Sequence, residues 1–561
     1  MVADKGVRSG RGLMDCGGWR PTRMAVSALL AALVAACGPG SGSGDTPAPL
    51  PDPPPAGEAT PATEAANAAV AERLPLEAPA DFDDATRGLL AQIQADAITD
   101  ADGNTVWPIA DWSFLEGDAP ATVNPSLWRQ SRLNAIHGLF ELKDGLYQVR
   151  GYDLAVMTVI RGDEGWIVID PLLSAETAAA ALDLVNETLG PRPVTGILYT
   201  HSHVDHFGGV RGIITEDEIA ARGVPILAPE GFSESAVAEN LLAGNHMSRR
   251  AALMFGNNLP LGPLGHVGAG LGQATATGRV GLILPTEEIG ETGARRTIDG
   301  VTFEFMDAAG TEAPAEFMFY LPQFDALCTA EVATANFHNV LTLRGAKVRD
   351  ALLWSRTIDD ALVTYGDRID LVFASHHWPT WGQAEAKALL ASQRDIYRYV
   401  HDQTLRRANA GATRDEAAEA IPEPAVQTRE FATRGYYGTL THNAKAVYQH
   451  YFGWWSGVPA EFHALPRAEA APRYVQVMGG PANVIQAGAE AYGAGEYRWA
   501  AELLNHAVWA DPSNATARGW LAAAYEQLGF QAESGTWRSY YLSAAARLRN
   551  PDGERAAAQL G

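Results

Sequence analysis

An apolar run, VTGILYT (Val194–Thr200), leads straight into HSHVDHFGG, so His201, His203, Asp205 and His206 fall within six residues. Few folds accommodate that. A hydrophobic core has no use for three imidazoles and a carboxylate, and a solvated loop seldom gathers them. On a loop leaving a strand, His201 and His203 are spaced to converge on one metal ion while Asp205 and His206 face a neighbouring one. Neutral imidazole and carboxylate suit zinc and other divalent ions. Gly208 and Gly209 let the backbone turn tightly after the cluster. The chain has only three cysteines, Cys16, Cys37 and Cys328, which give neither a thiolate cluster nor a disulfide framework. Histidines and carboxylates must therefore do any metal work.

The surrounding segments predict a layered α/β domain. GLYQVRGY, MTVIRGDEGWIVID, VTGILYT and VPILAPE read as strands, and SAETAAAALDLVNETLG as a helix between them. Asp170 and His201 both fall at the C-terminal ends of strands, where loops converge. Upstream, ATRGLLAQIQADA (residues 85–97) reads as one helix. After about residue 385 the strand signals vanish. The stretch 489–529, divided at Pro512, has the small-residue and aromatic pattern of tetratricopeptide-like helix pairs. Only about one and a half such units are visible, too few to stand alone, so this region is expected to pack on its own catalytic domain or on a second subunit.

At 561 residues the chain exceeds one ordinary core, and about three domains are expected. Arg20 and Arg23 precede MAVSALLAALVAAC, which is laid out as an export signal. Its ending, LVAAC, resembles a bacterial lipobox, which implies lipidation of Cys37 and an exported periplasmic or outer-membrane-anchored lipoprotein. Residues 38–80, rich in proline, glycine, serine and alanine, read as a disordered tether. The formal net charge of −24 disfavours nucleic acid as a partner. It also demands local positive charge in any site that receives an anion.

Downstream of the cluster, GTEAPAE supplies Glu312, LCTAEVATANFHN supplies Glu331, and FASHHWPTWG supplies His376 and His377. Between these two, spacing alone does not choose. THSHVDHFGG is the signature of the metallo-β-lactamase superfamily. The glutamates, with AGNHMSRRA, GPLGHVGAGLG, TLRGAKVRDALLWS, RGYYGTLTHNAKAVYQHY and YRWAAELLNHAVWADP, resemble its alkylsulfatase branch, with likeness running from about Asn124 to Arg549. The resemblance implies an αββα sandwich over residues 81–405 and an all-α, tetratricopeptide-like dimerisation domain over 406–555. It further implies two Zn²⁺ per chain, with His201, His203 and Glu312 on the first, Asp205, His206 and His376 on the second, and Glu331 bridging. Glu331 and Asp205 are the catalytic candidates. The expected reaction is hydrolysis of an alkyl sulfate ester to alcohol and sulfate by a homodimer, with attack at sulfur or at carbon left open. A sterol-carrier-like C-terminal domain found in many relatives is not expected here, and weaker discrimination by chain length is expected with it.

Two zinc ions against three carboxylates leave little charge to hold an anionic ester, so a cation is required. Arg344 is expected to grip the sulfate with its planar fork, with Arg349, Asn339 and Tyr437 as further contacts. Cys328 is expected to be a buried apolar residue. Trp454 and Trp455 could line an alkyl channel or pack in a core. The sequence leaves two other readings open. One is a superfamily hydrolase of a lactone, thioester, phosphodiester or lactam. The other is a non-catalytic lipoprotein that binds a partner and keeps its metal for structure.

Overall fold

The computed structural model describes residues 50–550. The residues read as an export signal, Cys16, and Cys37, the expected site of lipidation, lie outside the described residues.

Two sheets form the centre. The first runs Leu89–Ala91, Gly138–Lys143, Leu146–Arg150, Met157–Arg161, Trp166–Ile169, Val194–Leu198, Ile226–Pro229 and Glu287–Ile289. It is antiparallel up to Trp166–Ile169 and parallel beyond. The helix Ala175–Leu189 supplies the crossover that parallel pairing needs. The second sheet runs Arg295–Ile298, Val301–Asp307, Phe317–Leu321, Ala326–Cys328, Leu371–Phe373 and Thr380–Trp381. Its parallel pair, Ala326–Cys328 with Leu371–Phe373, is joined through the helix Ala351–Tyr365.

Alternation along the strands decides the layers. Ile167 and Ile169 join the core shared with Phe303, Phe305 and Phe319 of the second sheet, while Trp166 and Val168 join Ala181 and Val185 of the helix outside. Likewise Phe317, Phe319 and Leu321 face between the sheets, and Met318 and Tyr320 join Trp354 and Ile358 outside. Strands buried on both faces read as continuous apolar runs, which is why their sequences are so legible. The result is the expected αββα sandwich. Cys328 lies in the inter-sheet core, buried, as expected.

Three expectations need correction. The helix read over residues 85–97 is instead the helix Ala80–Thr86, a turn, and the edge strand Leu89–Ala91. Gly88 makes the break: it has φ +76, and a Cβ there would meet the Glu141 carbonyl at 2.1 Å. The boundary at residue 405 falls inside the helix Gln383–Asn409, whose Leu390, Ile396, Tyr397 and Val400 belong to the outer core of the sandwich. Finally, the tether does not extend to residue 80. Trp520 donates to the Pro51 carbonyl at 3.0 Å and Gln527 to the Glu58 carbonyl at 2.8 Å. Thr60 then caps the helix Pro61–Arg73. That helix buries Thr63 and Asn67, which bond Gln527 at 2.8 Å and the Phe530 carbonyl at 3.2 Å. It docks through a hydroxyl and an amide, so neither composition nor hydrophobic period reveals it.

The C-terminal helices Pro481–Gly493, Tyr497–Ala510, Ala515–Gln531 and Gly535–Arg549 pack in succession, with Pro512 in the turn between the middle two. Small residues permit the close approach: Gly488 lies against Leu504 and Gly529 against Leu542. Of the two supports expected for these helices, the structure supplies the catalytic domain. Buried Arg538 donates to the carbonyls of Gly265 at 3.0 Å and Thr122 at 2.7 Å, and the Gly535 amide bonds the Tyr436 carbonyl at 2.9 Å.

Candidate metal centre

Loops from both sheets build the centre: Asp170 and His201 to His206 follow two adjacent strands of the first, and Glu312, Glu331 and His376 lie on loops of the second. Asp170 follows Trp166–Ile169 and accepts from the Thr200 amide at 2.8 Å and the Thr200 hydroxyl at 2.7 Å, clamping the end of the next strand. It also accepts from His206 Nδ1 at 3.0 Å. The Thr200 hydroxyl has given its proton to Asp170, so it accepts from His201 Nδ1 at 2.9 Å. His376 Nδ1 donates to the Leu154 carbonyl at 3.0 Å. Three imidazoles are thus held by their outer nitrogens, as metal-binding histidines are, with Nε2 left for the interior. Glycine serves this packing by close approach: a Cβ on Gly209 would meet the Pro171 carbonyl at 2.2 Å.

The inner atoms converge. Glu331 Oε2 lies 3.1 Å from His201 Nε2, 3.4 Å from His206 Nε2 and 3.2 Å from His376 Nε2. Asp205 Oδ2 is 3.2 Å from His206 Nε2 and 3.7 Å from His376 Nε2. Glu312 Oε2 is 2.9 Å from His203 Nδ1 and 3.7 Å from His201 Nε2. Tetrahedral zinc with bonds of about 2.0–2.1 Å separates its ligand atoms by roughly 3.3 Å. The observed spacings bracket that value. Moreover, Nε2 of His201, His206 and His376 and Oε2 of Glu312 are buried with no hydrogen-bond partner. Four orphaned polar atoms in one interior spot are costly unless something binds them. The residues present therefore fit metal, in two groups: His201, His203, Glu312 and Glu331, and Asp205, His206 and His376.

The electrostatics agree. Burial alone would raise the Glu331 carboxyl, but the adjacent His376, His201 and His206 and the hydrogen bond from His338 hold it well below the carboxylate range. Burial likewise opposes ionisation of Glu312, yet Arg349 and His203 bring it down to about 2. Strained backbone clusters here too: Asp170, Leu172, Ala330 and His377 all have positive φ, beside the ligand positions.

All seven expected ligand residues come together. The choice between His376 and His377 is made by the backbone. His377 Nδ1 accepts from the Ala335 amide at 3.1 Å and Nε2 bonds the Gly270 carbonyl at 3.0 Å, so that ring is already spent. Arg344, Arg349 and Tyr437 line a cavity of about 240 Å³ beside the ligands, with His203, Asp205, Glu312 and Glu331. Arg349, however, is engaged: it pairs with the Glu312 carboxylate and donates to the Asn339 carbonyl at 2.7 Å. Asn339 is buried behind it, its side-chain oxygen accepting from Arg349 at 2.5 Å, and is not part of the cavity wall. Trp454 and Trp455 are 67% and 39% exposed and line no part of the cavity, so neither the channel nor the core reading describes them.

Sequence reasoning missed four residues. His338, in the same FHN segment as Asn339, donates to Glu331 Oε1 at 2.9 Å. Glu316 is buried and accepts from the amides of Glu312 at 3.1 Å and Glu331 at 3.2 Å, tying both glutamate loops together. Burial and the neighbouring Glu312 push it up to about 8. Asp170 reads in the sequence only as a strand end, yet it bonds both Thr200 and His206. Glu239, on the helix Phe232–Leu242, pairs with Arg344 at 2.8 Å and lies 3.6 Å from His203 Nε2. No short-range signal marks it.

Residues 150–315 match the metallo-beta-lactamase superfamily and residues 413–551 the alkyl sulfatase dimerisation family. A linear primary-alkylsulfatase from Pseudomonas sp is 50% identical over 88% of this chain and 73% of its own length. The chain belongs to the alkylsulfatases. This alkylsulfatase is also 48% identical to the alkyl/aryl-sulfatase BDS1 of Saccharomyces cerevisiae, over 88% of this chain and 76% of that protein. The solved structure of the stereoselective inverting sec-alkylsulfatase Pisa1 from Pseudomonas sp. superposes with a TM-score of 0.86 at 45% identity, covering 88% of this chain and 78% of that one.

Proposed function

We propose that this alkylsulfatase hydrolyses alkyl sulfate esters at a centre of two zinc ions, with Arg344 as the sulfate-binding cation. The observation that carries this is the convergence of four orphaned ligand atoms beside a cavity that Glu312, Glu331 and Arg344 line together. His201, His203 and Glu312 would hold one ion and Asp205, His206 and His376 the other, with Glu331 placed between the two groups. When bound, such a pair supplies Lewis acidity that activates water at neutral pH and offsets charge on the sulfate.

The chain's own residues do the rest. Asp170, Thr200 and the Leu154 carbonyl fix the imidazole orientations. Arg349 neutralises Glu312 and holds Asn339. Arg344 and the Tyr437 phenol, which burial keeps protonated, face the cavity as donors for sulfate oxygens. Leu154, Leu173, Met247, Phe255 and Leu271 give the remaining wall an apolar character suited to an alkyl chain. The dimerisation domain is proposed to join two copies, and Cys37 to carry a lipid that holds the exported enzyme at a membrane.

The test is release of inorganic sulfate from primary and secondary alkyl sulfates by the protein with its metal intact, with Glu331→Ala as control. Release abolished by the substitution supports the reading. No release from a sample holding two metals per chain overturns it. Running the same reaction in ¹⁸O water places the label in the alcohol for attack at carbon and in the sulfate for attack at sulfur.

A further inference from the structure

Hydrolysis of an alkyl sulfate turns a monoanion and water into an alcohol, a sulfate dianion and a proton. The product therefore carries more charge than the substrate, and a strongly cationic site would hold product in preference. Among the described residues lining the cavity, the permanent cations are Arg344 and Arg349. Arg349 is committed to Glu312 and Asn339. That leaves Arg344, and Glu239 stands on it.

The geometry of that pair is unusual for a structural salt bridge. Glu239 Oε1 lies 2.8 Å from Arg344 Nη1 but receives no aligned hydrogen bond, although it is buried. It is a close approach of charges without the bidentate fork that arginine and carboxylate ordinarily form. Arg344 is held in place by other means: its amide bonds Met254 Sδ at 3.2 Å, and its guanidinium touches Met247 Sδ at 3.8 Å. Neither contact involves Glu239, so both remain when it is replaced. The carboxylate itself lines the cavity, on a helix outside the sandwich, facing His203.

We propose that Glu239 is a charge filter, which lets the site take monoanionic sulfate esters while weakening its hold on dianions. This rests on the sulfate reading of Arg344. The repulsion between Glu239 and a bound anion scales with the anion's charge, so it acts about twice as strongly on inorganic sulfate or an alkyl phosphate as on an alkyl sulfate. Alkyl phosphate is mostly dianionic above a pKa of about 6. Glu239 would thus speed release of the product and exclude phosphate monoesters of the same shape.

The experiment compares Glu239→Gln and Glu239→Asp with the unmodified, metal-loaded enzyme. Inhibition constants for inorganic sulfate and decyl phosphate are measured beside the KM for decyl sulfate, and sulfate binding is read directly by calorimetry. For Glu239→Gln the affinity for both dianions is expected to rise about tenfold more than that for the ester. Glu239→Asp, which keeps the charge, is expected to retain the original ratio. An unchanged ratio in an active Glu239→Gln enzyme overturns the filter. So does an equal shift in the aspartate variant. A failure of the sulfatase reading looks different: the unmodified enzyme then hydrolyses no alkyl sulfate.

Discussion

His338 donates its Nε2 proton to Glu331 Oε1 at 2.9 Å, and that bond divides the labour of the carboxylate. Oε1 is occupied by the histidine, while Oε2 faces His201, His206 and His376 within 3.4 Å. The other nitrogen of His338 accepts from Arg349 Nη1 at 3.3 Å, so the ring is fixed from both sides. Glu331 is thereby presented with one free oxygen, at the point where the two ligand groups meet.

Partners that orient a metal ligand ordinarily carry 10–100-fold of metal affinity or activity. His338→Ala is expected to lose about that much affinity for the metals, measured by competition with a chelator, while the fold persists. His338→Gln, which keeps a donor, should recover part of the loss. Unchanged affinity in the alanine variant would remove His338 from the centre.

The two arginines should separate in their effects. Arg344→Lys is expected to cut kcat/KM by about 10–100-fold, because a point charge does not replace a planar fork on sulfate oxygens. Metal content should not change. Arg349→Ala instead strips the partner from buried Glu312, and breaking such a pair costs about 3–5 kcal/mol. Its signature is a lower melting temperature of the metal-free protein and weakened metal retention. The pattern is checked by metal analysis and thermal melts of both variants.

His203 sets a pH dependence. Burial alone would lower it, but Glu312 and Glu239 raise it from 6.5 to about 9 in the metal-free fold. A raised folded-state pKa gives stability that is complete below pH 6.5 and is lost as pH rises through about 9. Metal binding runs the opposite way, since that proton must leave. The gap between metal-loaded and metal-free melting temperatures should therefore widen from pH 6.5 to 9. A gap that is constant or narrows with pH would contradict this.

The helical domain exposes several large apolar side chains. Phe462, Tyr474, Val477 and Trp499 are 65%, 56%, 87% and 51% exposed. Tyr474 and Val477 also line a groove of about 570 Å³ with Leu465, His506 and Trp509. Val477→Glu is expected to convert a dimer to a monomer by light scattering, with its metal content intact. A dimer that survives the substitution would place the interface elsewhere.

Much of this protein was legible because its information is local. The metal cluster lies within six residues at the end of a strand, and strands buried on both faces announce themselves as apolar runs. Family motifs carried Glu312, Glu331 and His376 the rest of the way. Hydrophobic period failed at the helix Pro61–Arg73, which docks through Thr63 and Asn67, and at Gly88, where a docking contact with Glu141 ends a helix early.

By itself, then, the sequence determined the layers of the sandwich, the ligand chemistry and the helical character of the C-terminal region, since each is written in the spacing of neighbouring residues. Only the tertiary structure decided which nitrogen of which histidine is free, because that depends on carbonyls and carboxylates far along the chain. His377 is spent on Gly270 and Ala335, while His376 is held by Leu154 with Nε2 exposed to the site. The same holds for Arg344 and Arg349. They sit five positions apart in one motif, yet folding sets one against Glu239 and the other against Glu312. Charge pairing is settled by proximity in space, and spacing along the chain does not encode it.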